Sequence, residues 1–156
     1  MPAEIIEAPN EYAGTEPSLF LAGGITGTVD WQTEIARQLV DVPIVLLNPR
    51  RRHFPMNDPT VAEAQIHWEY RYLRSATAVL FWFPHETLCP IALYELGSRS
   101  MVPGQPLFVG THPEYARRID VVIQMKLARP DVVIFGDLDE LADRVREWAT
   151  QIRKRT

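Results

Sequence analysis

The chain has 156 residues, of which 46% are hydrophobic and 23% charged, a balance typical of one soluble domain with one core. Its net charge of −4 argues against a general nucleic-acid-binding protein, which requires a basic surface to displace counterions. Its single cysteine, Cys89, excludes an internal disulfide and predicts a reducing compartment.

The first 17 residues are polar and acidic and contain turn-forming residues, so we expect a tail or an irregular edge. They lack the basic start and the apolar stretch of a secretory signal. The longest near-apolar run, Ala76 to Pro84, is too short to cross a bilayer. We therefore expect a cytoplasmic protein without a membrane partner, with a single domain over residues 18–156.

From residue 18 onward, strand-like and helix-like segments alternate along the chain. Short apolar runs that stop at turn residues predict buried strands, and apolar residues spaced three or four apart predict helices that bury one face. Asp30 and Asp137 stand where N-caps are expected, and Pro90 suits the first turn of a helix. The predicted strands are Ser18–Ala22, Pro43–Leu47, Thr77–Phe83, Pro106–Gly110 and Asp131–Phe135. The first predicted helix follows Asp30 and buries Trp31, Ile35 and Leu39. The other predicted helices are Thr60–Ser75, Pro90–Met101, Tyr115–Ala128 and Asp137–Ile152.

Five strands separated by helices predict an α/β fold with right-handed crossovers, in which helices cover both faces of a five-stranded parallel sheet. The strands are apolar throughout rather than alternating, as expected when both faces are buried. In such sheets, ligands bind beyond the carboxyl ends of the strands. The unusual residues of this sequence gather at those ends, which locates the candidate site.

Two glutamates could supply chemistry at this edge. Glu95 lies about one and a half turns into an otherwise apolar helix, where a carboxylate would be partly desolvated and would face a pocket. Glu69 shares a helical face with Gln65 in the helix that precedes the central strand. Both carboxylates could converge on one ligand. The alternatives are surface ion pairs with nearby arginines, Arg99 for Glu95 and Arg71 or Arg74 for Glu69.

Three further segments at this edge could contact a ligand. Glycines after the first strand would let a ligand approach the backbone, although the turn matches no phosphate-binding motif. Arginines after the second strand could hold a phosphate, and aromatic side chains that end the central strand could stack a base. Alternatively, the glycines form a plain turn, the arginines lie in a solvated basic loop, and the aromatic side chains pack in the core. The candidate residues are Gly23, Gly24, Arg50, Arg51, Trp82 and Phe83.

Cys89 precedes Pro90 at a helix start, where the helix N-terminus lowers the pKa of a thiol, so a nucleophilic cysteine is a further alternative. His85 and His112 are the candidate partners, but the spacing assigns neither. The four histidines show no metal-binding pattern. The sequence therefore predicts neither a metal ion nor another cofactor.

In order and spacing, these segments resemble the nucleoside 2-deoxyribosyltransferase-like family from Ser18 to about Leu107. The resemblance implies a flavodoxin-like, Rossmannoid fold and reaction at the anomeric carbon of a nucleoside or nucleotide. It implies Glu95 as the nucleophile, Glu69 as the acidic residue that positions or protonates the base, and the Gly-rich turn against sugar and base. It also implies a homodimer or larger oligomer in which a neighbour closes each site. We also expect Asn48 and Gln65 to contact the substrate. The residues that carry the resemblance are Phe20–Gly24, Asn48–Arg51, Gln65–Glu69 with Leu73 and Ala76, Phe81–Pro84 and Tyr94–Gly97.

The chain departs from the family pattern at one position. Typical members carry an aspartate that contacts the sugar six residues before the nucleophile, and here that position is Cys89. Sugar recognition must therefore differ, which indicates a divergent branch. A glycosyl-enzyme formed on Glu95 would pass its sugar to another base or to water, giving a transferase or an N-glycosidase. The competing hypothesis is a nucleotide-binding sensor without turnover.

Overall fold

Short apolar segments pair side by side as parallel strands, and helices connect them. The computed structural model describes residues 2–55 and 57–156. The strands are β1 Glu4–Glu7, β2 Ser18–Gly23, β3 Val45–Asn48, β4 Ala78–Phe83, β5 Leu107–Thr111 and β6 Ile134–Phe135. The helices are α1 Trp31–Gln38, α2 Pro59–Ser75, α3 Pro90–Ser100, α4 Arg118–Ala128 and α5 Leu138–Lys154.

The six described strands form one all-parallel sheet in the order β1-β3-β2-β4-β5-β6. The chain forms β3 on one side of β2 and then crosses over to form β4 on the other side. The carboxyl ends of β2 and β4 therefore flank the point where the direction of sheet growth reverses, which is where open α/β sheets bind ligands. The loop 84–89 leads from this point into α3.

Both faces of the central strands are buried, which explains why their sequences do not alternate. Phe81 and Phe83 pack on the side of α2, α3 and α4, whereas Leu80 and Trp82 pack on the side of α1 and α5. The sheet thus separates two apolar cores. Among the described helices, none is long and apolar enough to span a membrane.

Most predicted boundaries are confirmed within a few residues, and the predicted caps are present. The Asp30 carboxylate accepts a hydrogen bond from the Thr33 N–H at 3.0 Å, and the Asp137 carboxylate accepts one from the Glu140 N–H at 2.8 Å. Pro90 is the first residue of α3. These local signals depend only on near neighbours, which is why the sequence reveals them.

The prediction of five strands is wrong, because β1 lies within the segment expected to be a tail or an irregular edge. Residues Glu4–Glu7 pair in register with Val45–Asn48. The strand was missed because only two apolar residues stand between two glutamates, and Ile5 remains half exposed at the sheet edge. Pairing with β3, rather than the local pattern, makes this segment a strand.

Two other boundaries also differ from the sequence predictions. The last strand is confined to Ile134–Phe135, because the Val132 N–H bonds to the Arg129 carbonyl and holds residues 129–132 in a turn. Helix α4 begins at Arg118 rather than Tyr115, because Tyr115 belongs to a preceding turn and its hydroxyl donates to the Leu88 carbonyl at 2.6 Å.

Candidate active site

The two candidate carboxylates come from neighbouring elements of the same helix layer. Glu69 lies in the middle of α2 and Glu95 in the middle of α3, and both side chains are half-buried. They lie close enough for the negative charge of Glu69 to raise the pKa of Glu95. The two carboxylates are therefore near neighbours, and their convergence on one ligand stays a prediction.

Neither glutamate takes part in an ion pair among residues 2–55 and 57–156. Arg71 pairs instead with Glu11 at 3.0 Å, and Arg99 donates to the Gln105 side chain at 2.8 Å. The alternative of two ordinary surface ion pairs is thus not what the fold adopts.

Burial is the main reason that the pKa of Glu95 rises from 4.5 to about 8. A carboxylate loses hydration when it is partly enclosed, so the neutral acid is favoured. The charge on Glu69 raises this pKa further, and the charge on Arg74 lowers it. Near neutral pH, the Glu95 carboxyl therefore holds its proton for most of the time.

The pKa of Glu69 depends on two opposing effects. Burial raises its pKa, but a hydrogen bond from the Gln65 amide, at 2.8 Å, favours the carboxylate and limits that rise. Glu69 therefore ionises before Glu95, and its charge then opposes ionisation of the second carboxyl. The pair titrates as a coupled unit that carries one proton over a range of pH below about 8.

Gln65 links this pair to the end of β3. Its buried side-chain nitrogen donates both to the Pro49 carbonyl and to Glu69, each at 2.8 Å. Two acceptors fix which end of the amide is the nitrogen, since only N–H groups can satisfy them. Asn48 is also buried, and its side-chain oxygen accepts the Arg50 N–H at 3.0 Å. Gln65 thus ties Glu69 to the chain segment that follows β3, next to Asn48.

Gly24 lets the loop after β2 pack closely against the loop 84–89, which leads into α3. A Cβ at Gly24 would lie 2.7 Å from Cys89 Sγ and 3.0 Å from Pro84 Cγ, so only glycine permits this contact. The Gly24 carbonyl accepts hydrogen bonds from Trp31 Nε1 at 2.8 Å and from Gln32 Nε2 at 3.3 Å. The close approach expected of a ligand is made here by the chain itself, and it fixes where α3 starts.

Arg50 holds the same loop from the other side. Its guanidinium donates to the Ile25 carbonyl at 2.9 Å, the Thr28 hydroxyl at 2.7 Å and the Val29 carbonyl at 3.1 Å. Its Nε also lies 3.6 Å from the Asp30 carboxylate. These contacts occupy the guanidinium within the fold, in contrast to the free phosphate contact that the sequence suggested.

The remaining expected contacts are Arg51, Trp82 and Phe83. Arg51 is half-buried, with its guanidinium 5.2 Å from the centre of the Phe54 ring. The Phe83 ring is fully buried and packs on Phe81, and Trp82 is buried on the opposite face of the sheet. The structure therefore brings Gln65 and Glu69 into contact and Glu95 near Glu69, and it places the two aromatic rings in the cores.

Cys89 occupies the N-cap position of α3 in the left-handed conformation, with φ at 49°. Its thiol lies 3.3 Å from the Thr87 hydroxyl, and burial raises its pKa. The sequence suggested the opposite shift from the helix N-terminus, but loss of hydration outweighs that effect. His85 and His112 stack on each other at 4.2 Å, and neither bonds to the thiol among the described residues.

Two residues contribute in ways that the sequence did not reveal. Arg74 was considered as a partner for Glu69, but its charge acts on Glu95 from across the helix pair. Glu86 accepts the Val29 N–H at 3.2 Å and thereby joins two loops at the ligand edge. This contact spans 57 positions, and no local pattern marks it.

Over the part of the chain that the structure describes, no cluster of three His, Cys, Asp or Glu side chains could hold a metal ion.

We expect Arg50→Lys to lower the free energy of unfolding by about 1–3 kcal/mol, because an ammonium group cannot reproduce the branched set of bonds to residues 25–29. Arg51→Lys is the matched control, since among residues 2–55 and 57–156 the Arg51 guanidinium lies over the Phe54 ring and forms no hydrogen bond or ion pair; a change within about 0.5 kcal/mol is expected there. Urea unfolding followed by circular dichroism measures both. Equal losses in the two variants would contradict the bracing role of Arg50.

One comparison with known proteins identifies the family of this chain. A family model described as nucleoside 2-deoxyribosyltransferase like matches residues 16–115. A search of curated proteins finds no match. The matched segment holds β2 to β5 together with both glutamates and covers more than half of the chain. This chain therefore belongs to the nucleoside 2-deoxyribosyltransferase-like family.

Proposed function

We propose that the protein cleaves or exchanges the N-glycosidic bond of a nucleoside or nucleotide, with Glu95 as nucleophile and Glu69 as proton donor to the leaving base. The family supplies the reaction class, glycosyl transfer at a nucleoside. The observation that carries the assignment of residues is the coupled pair of half-buried carboxyls on α2 and α3, which holds one proton below about pH 8.

A pair that holds a single proton suits this chemistry. In the main one-proton state the proton lies on Glu95, so the reactive arrangement is the minor state in which the proton has moved to Glu69 and Glu95 is the carboxylate. A bond forms between a Glu95 oxygen and C1′ as the bond from C1′ to the base nitrogen breaks. The electron pair of the broken bond stays with the base, which takes the proton from Glu69. The products are a glycosyl ester on Glu95, an ionised Glu69 and a neutral base.

The ester is then resolved by the reverse route. A second base attacks C1′ and gives a new nucleoside, or water attacks and gives the free sugar, with Glu69 accepting the proton in each case. The first outcome is a transferase and the second an N-glycoside hydrolase. Access of water to the ester decides between them.

Substrate recognition must differ from that of typical relatives at the sugar, because Cys89 replaces the usual aspartate and its buried thiol bonds to Thr87. For a 5′-phosphate, we propose Arg51 rather than Arg50, since the guanidinium of Arg50 is already bonded to the loop. Gln65 holds Glu69 in place through its amide nitrogen.

We further propose that residues 18–156, together with the edge strand β1, form one flavodoxin-like domain and that the protein is a cytoplasmic homodimer. With β1 set aside, the strands numbered along the chain have the order 2-1-3-4-5, which flavodoxin-like sheets share. The homodimer and the location follow from family resemblance and composition. No metal ion or cofactor enters the proposed reaction.

Incubation with a panel of nucleosides and nucleotides, with and without a second free base, tests the function. Chromatography distinguishes a released base, which indicates hydrolysis, from a new nucleoside, which indicates transfer. A specific observation favours a second candidate, a nucleotide sensor: the buried Cys89 stands where relatives place the sugar-binding aspartate. Tight calorimetric binding of a nucleotide with neither product would support the sensor over the enzyme.

We expect Glu95→Gln to reduce turnover by at least about 1,000-fold, because the amide cannot attack C1′. The variant should remain folded and should unfold at a higher temperature than wild type above pH 8. The reason is that the unfolded chain loses this proton near pH 4.5 and the folded chain near pH 8, so wild-type stability falls as pH rises between those values. Thermal unfolding at pH 5 and pH 9 is the control, and near-wild-type turnover would refute the nucleophile.

The pH dependence of kcat/KM should identify the protonated state that reacts. For wild type we expect a fall above about pH 8, where the pair loses its last proton. Glu69→Gln removes both the proton donor and the charge that raises the pKa of Glu95. Its residual activity should instead rise with pH as Glu95 ionises, with a midpoint below about pH 8. An unchanged fall near pH 8 in this variant would assign the reactive proton to another group.

Cys89→Ser should retain most of the turnover, because burial raises the thiol pKa and no histidine bonds to Sγ among the described residues. The serine hydroxyl can keep the bond to Thr87. The measurement is kcat with the best substrate from the panel. Complete loss in a folded variant would favour a thiol enzyme over the glutamate mechanism.

A further inference from the structure

Two arginine side chains lie near each other where α2 and α3 end. Arg74 is in the last turn of α2, and Arg99 is in the last turn of α3. Burial lowers the pKa of Arg99, and the positive charge of Arg74 lowers it further, so the two guanidinium groups are close enough to repel each other. Among residues 2–55 and 57–156, neither arginine forms an ion pair. Two like charges held together in this way favour the binding of an anion between them.

Arg99 is the more unusual of the two, because its side chain is buried. It is only 7% exposed, and within the described residues its one hydrogen bond runs from Nε to the Gln105 side-chain oxygen at 2.8 Å. Gln105 in turn donates to the carbonyls of Leu73 and Ala76, which places Arg99 beside the end of α2. The N–H groups on the two terminal nitrogens of Arg99 have no acceptor in this part of the chain. These nitrogens are not fully enclosed, so a ligand can reach them.

Arg74 is held in a fixed orientation by Tyr70, one helical turn earlier. Its guanidinium carbon lies 3.4 Å from the centre of the Tyr70 ring, and its Nη1 donates to the Tyr70 carbonyl at 3.2 Å. A guanidinium that lies flat on a ring directs its other N–H groups outward in one plane. That arrangement suits contact with two oxygens of one oxyanion, and it is fixed before the anion binds.

The two arginines lie beside the carboxyl pair. Glu95 and Arg99 are four residues apart on α3 and therefore share a face of that helix. The charge of Arg74 acts on Glu95 as well as on Arg99. The arginines carry two positive charges, whereas Glu69 and Glu95 together carry at most one negative charge below about pH 8. The four side chains thus have a net positive charge at neutral pH, which attracts an anion to this end of the site.

We propose that Arg74 and Arg99 form a phosphate-binding site next to the carboxyl pair, in which both guanidinium groups donate to the oxygens of one phosphate. The site is distinct from Arg51, which follows β3. Gln65 contacts the end of β3, and Arg74 lies about 13 Å further along α2 at the helical rise of about 1.5 Å per residue. Two sources fit this chemistry: a free phosphate ion, or the phosphate of a nucleotide, which would then bind here rather than at Arg51. The second source rests on the proposed function, and phosphate binding by itself does not.

Calorimetric titration of the full chain with inorganic phosphate at pH 7 tests the site. We expect saturable binding to wild type, and Arg74→Gln should weaken it at least about tenfold, because the amide lacks the positive charge. Arg74 is exposed, so this variant should remain folded, as circular dichroism verifies. Arg71→Gln is the matched control, since Arg71 also lies on α2 over a tyrosine ring but pairs with Glu11. It should bind phosphate as wild type does.

Three results would overturn the site. They are no binding to wild type up to about 10 mM phosphate, equal affinities of wild type and Arg74→Gln, and equal losses in Arg74→Gln and Arg71→Gln. Arg99→Lys tests the second arginine, because it keeps the charge and loses the planar set of N–H groups. It should also weaken phosphate binding, by at least about threefold, and wild-type affinity in this variant would remove Arg99 from the site.

A second titration distinguishes the two sources of phosphate. A nucleoside 5′-monophosphate that occupies the site should displace inorganic phosphate and should bind Arg74→Gln more weakly than wild type, whereas its parent nucleoside should bind both proteins equally. If the site takes a free phosphate ion, phosphate should bind with the nucleotide already in place. Because these titrations measure binding, a protein that binds phosphate at Arg74 but shows no turnover would refute the proposed function and leave the site intact.

Discussion

The constraint on which the candidate site depends is the partial burial of the Glu69 and Glu95 carboxyls, reinforced by the charge of Glu69 on Glu95. Burial makes each acid harder to ionise and is the main reason that the pKa of Glu95 rises to about 8, and the charge on Glu69 raises that pKa further. The result is a pair that retains one proton at neutral pH. Such a pair can present a carboxylate to an anomeric carbon while keeping a proton for the leaving base.

Much of the nearby structure serves to keep these two acids in their places. Gln65 uses both of its N–H groups, one to hold the Glu69 carboxylate and one to hold the Pro49 carbonyl at the end of β3. Gly24 lets the loop after β2 close onto the start of α3, which carries Glu95. Arg50 braces that loop through its carbonyls. The switch point between β2 and β4 is thus filled by packed loops, with the carboxylates in the adjoining helix layer.

Contacts between distant parts of the chain give several residues a different role from the one that their type and position in the sequence suggested. Arg50 resembled a phosphate contact, but its guanidinium satisfies backbone carbonyls of another loop. Trp82 and Phe83 resembled base-stacking residues, yet the fold buries them on opposite faces of the sheet. The helix N-terminus at Cys89 favoured a lowered thiol pKa, and burial reverses the direction. In each case the deciding neighbour is distant in sequence and close in space.

The amino-acid sequence by itself determined the alternation of strands and helices, the caps at Asp30 and Asp137, and the family motif that singles out both glutamates, because these depend on local patterns. The tertiary structure alone decided that Glu4–Glu7 joins the sheet as its edge strand, since two apolar residues gain a strand partner only when β3 lies beside them. It also decided the proton affinity of Glu95, because burial and the charges on Glu69 and Arg74 act across helices rather than along the chain.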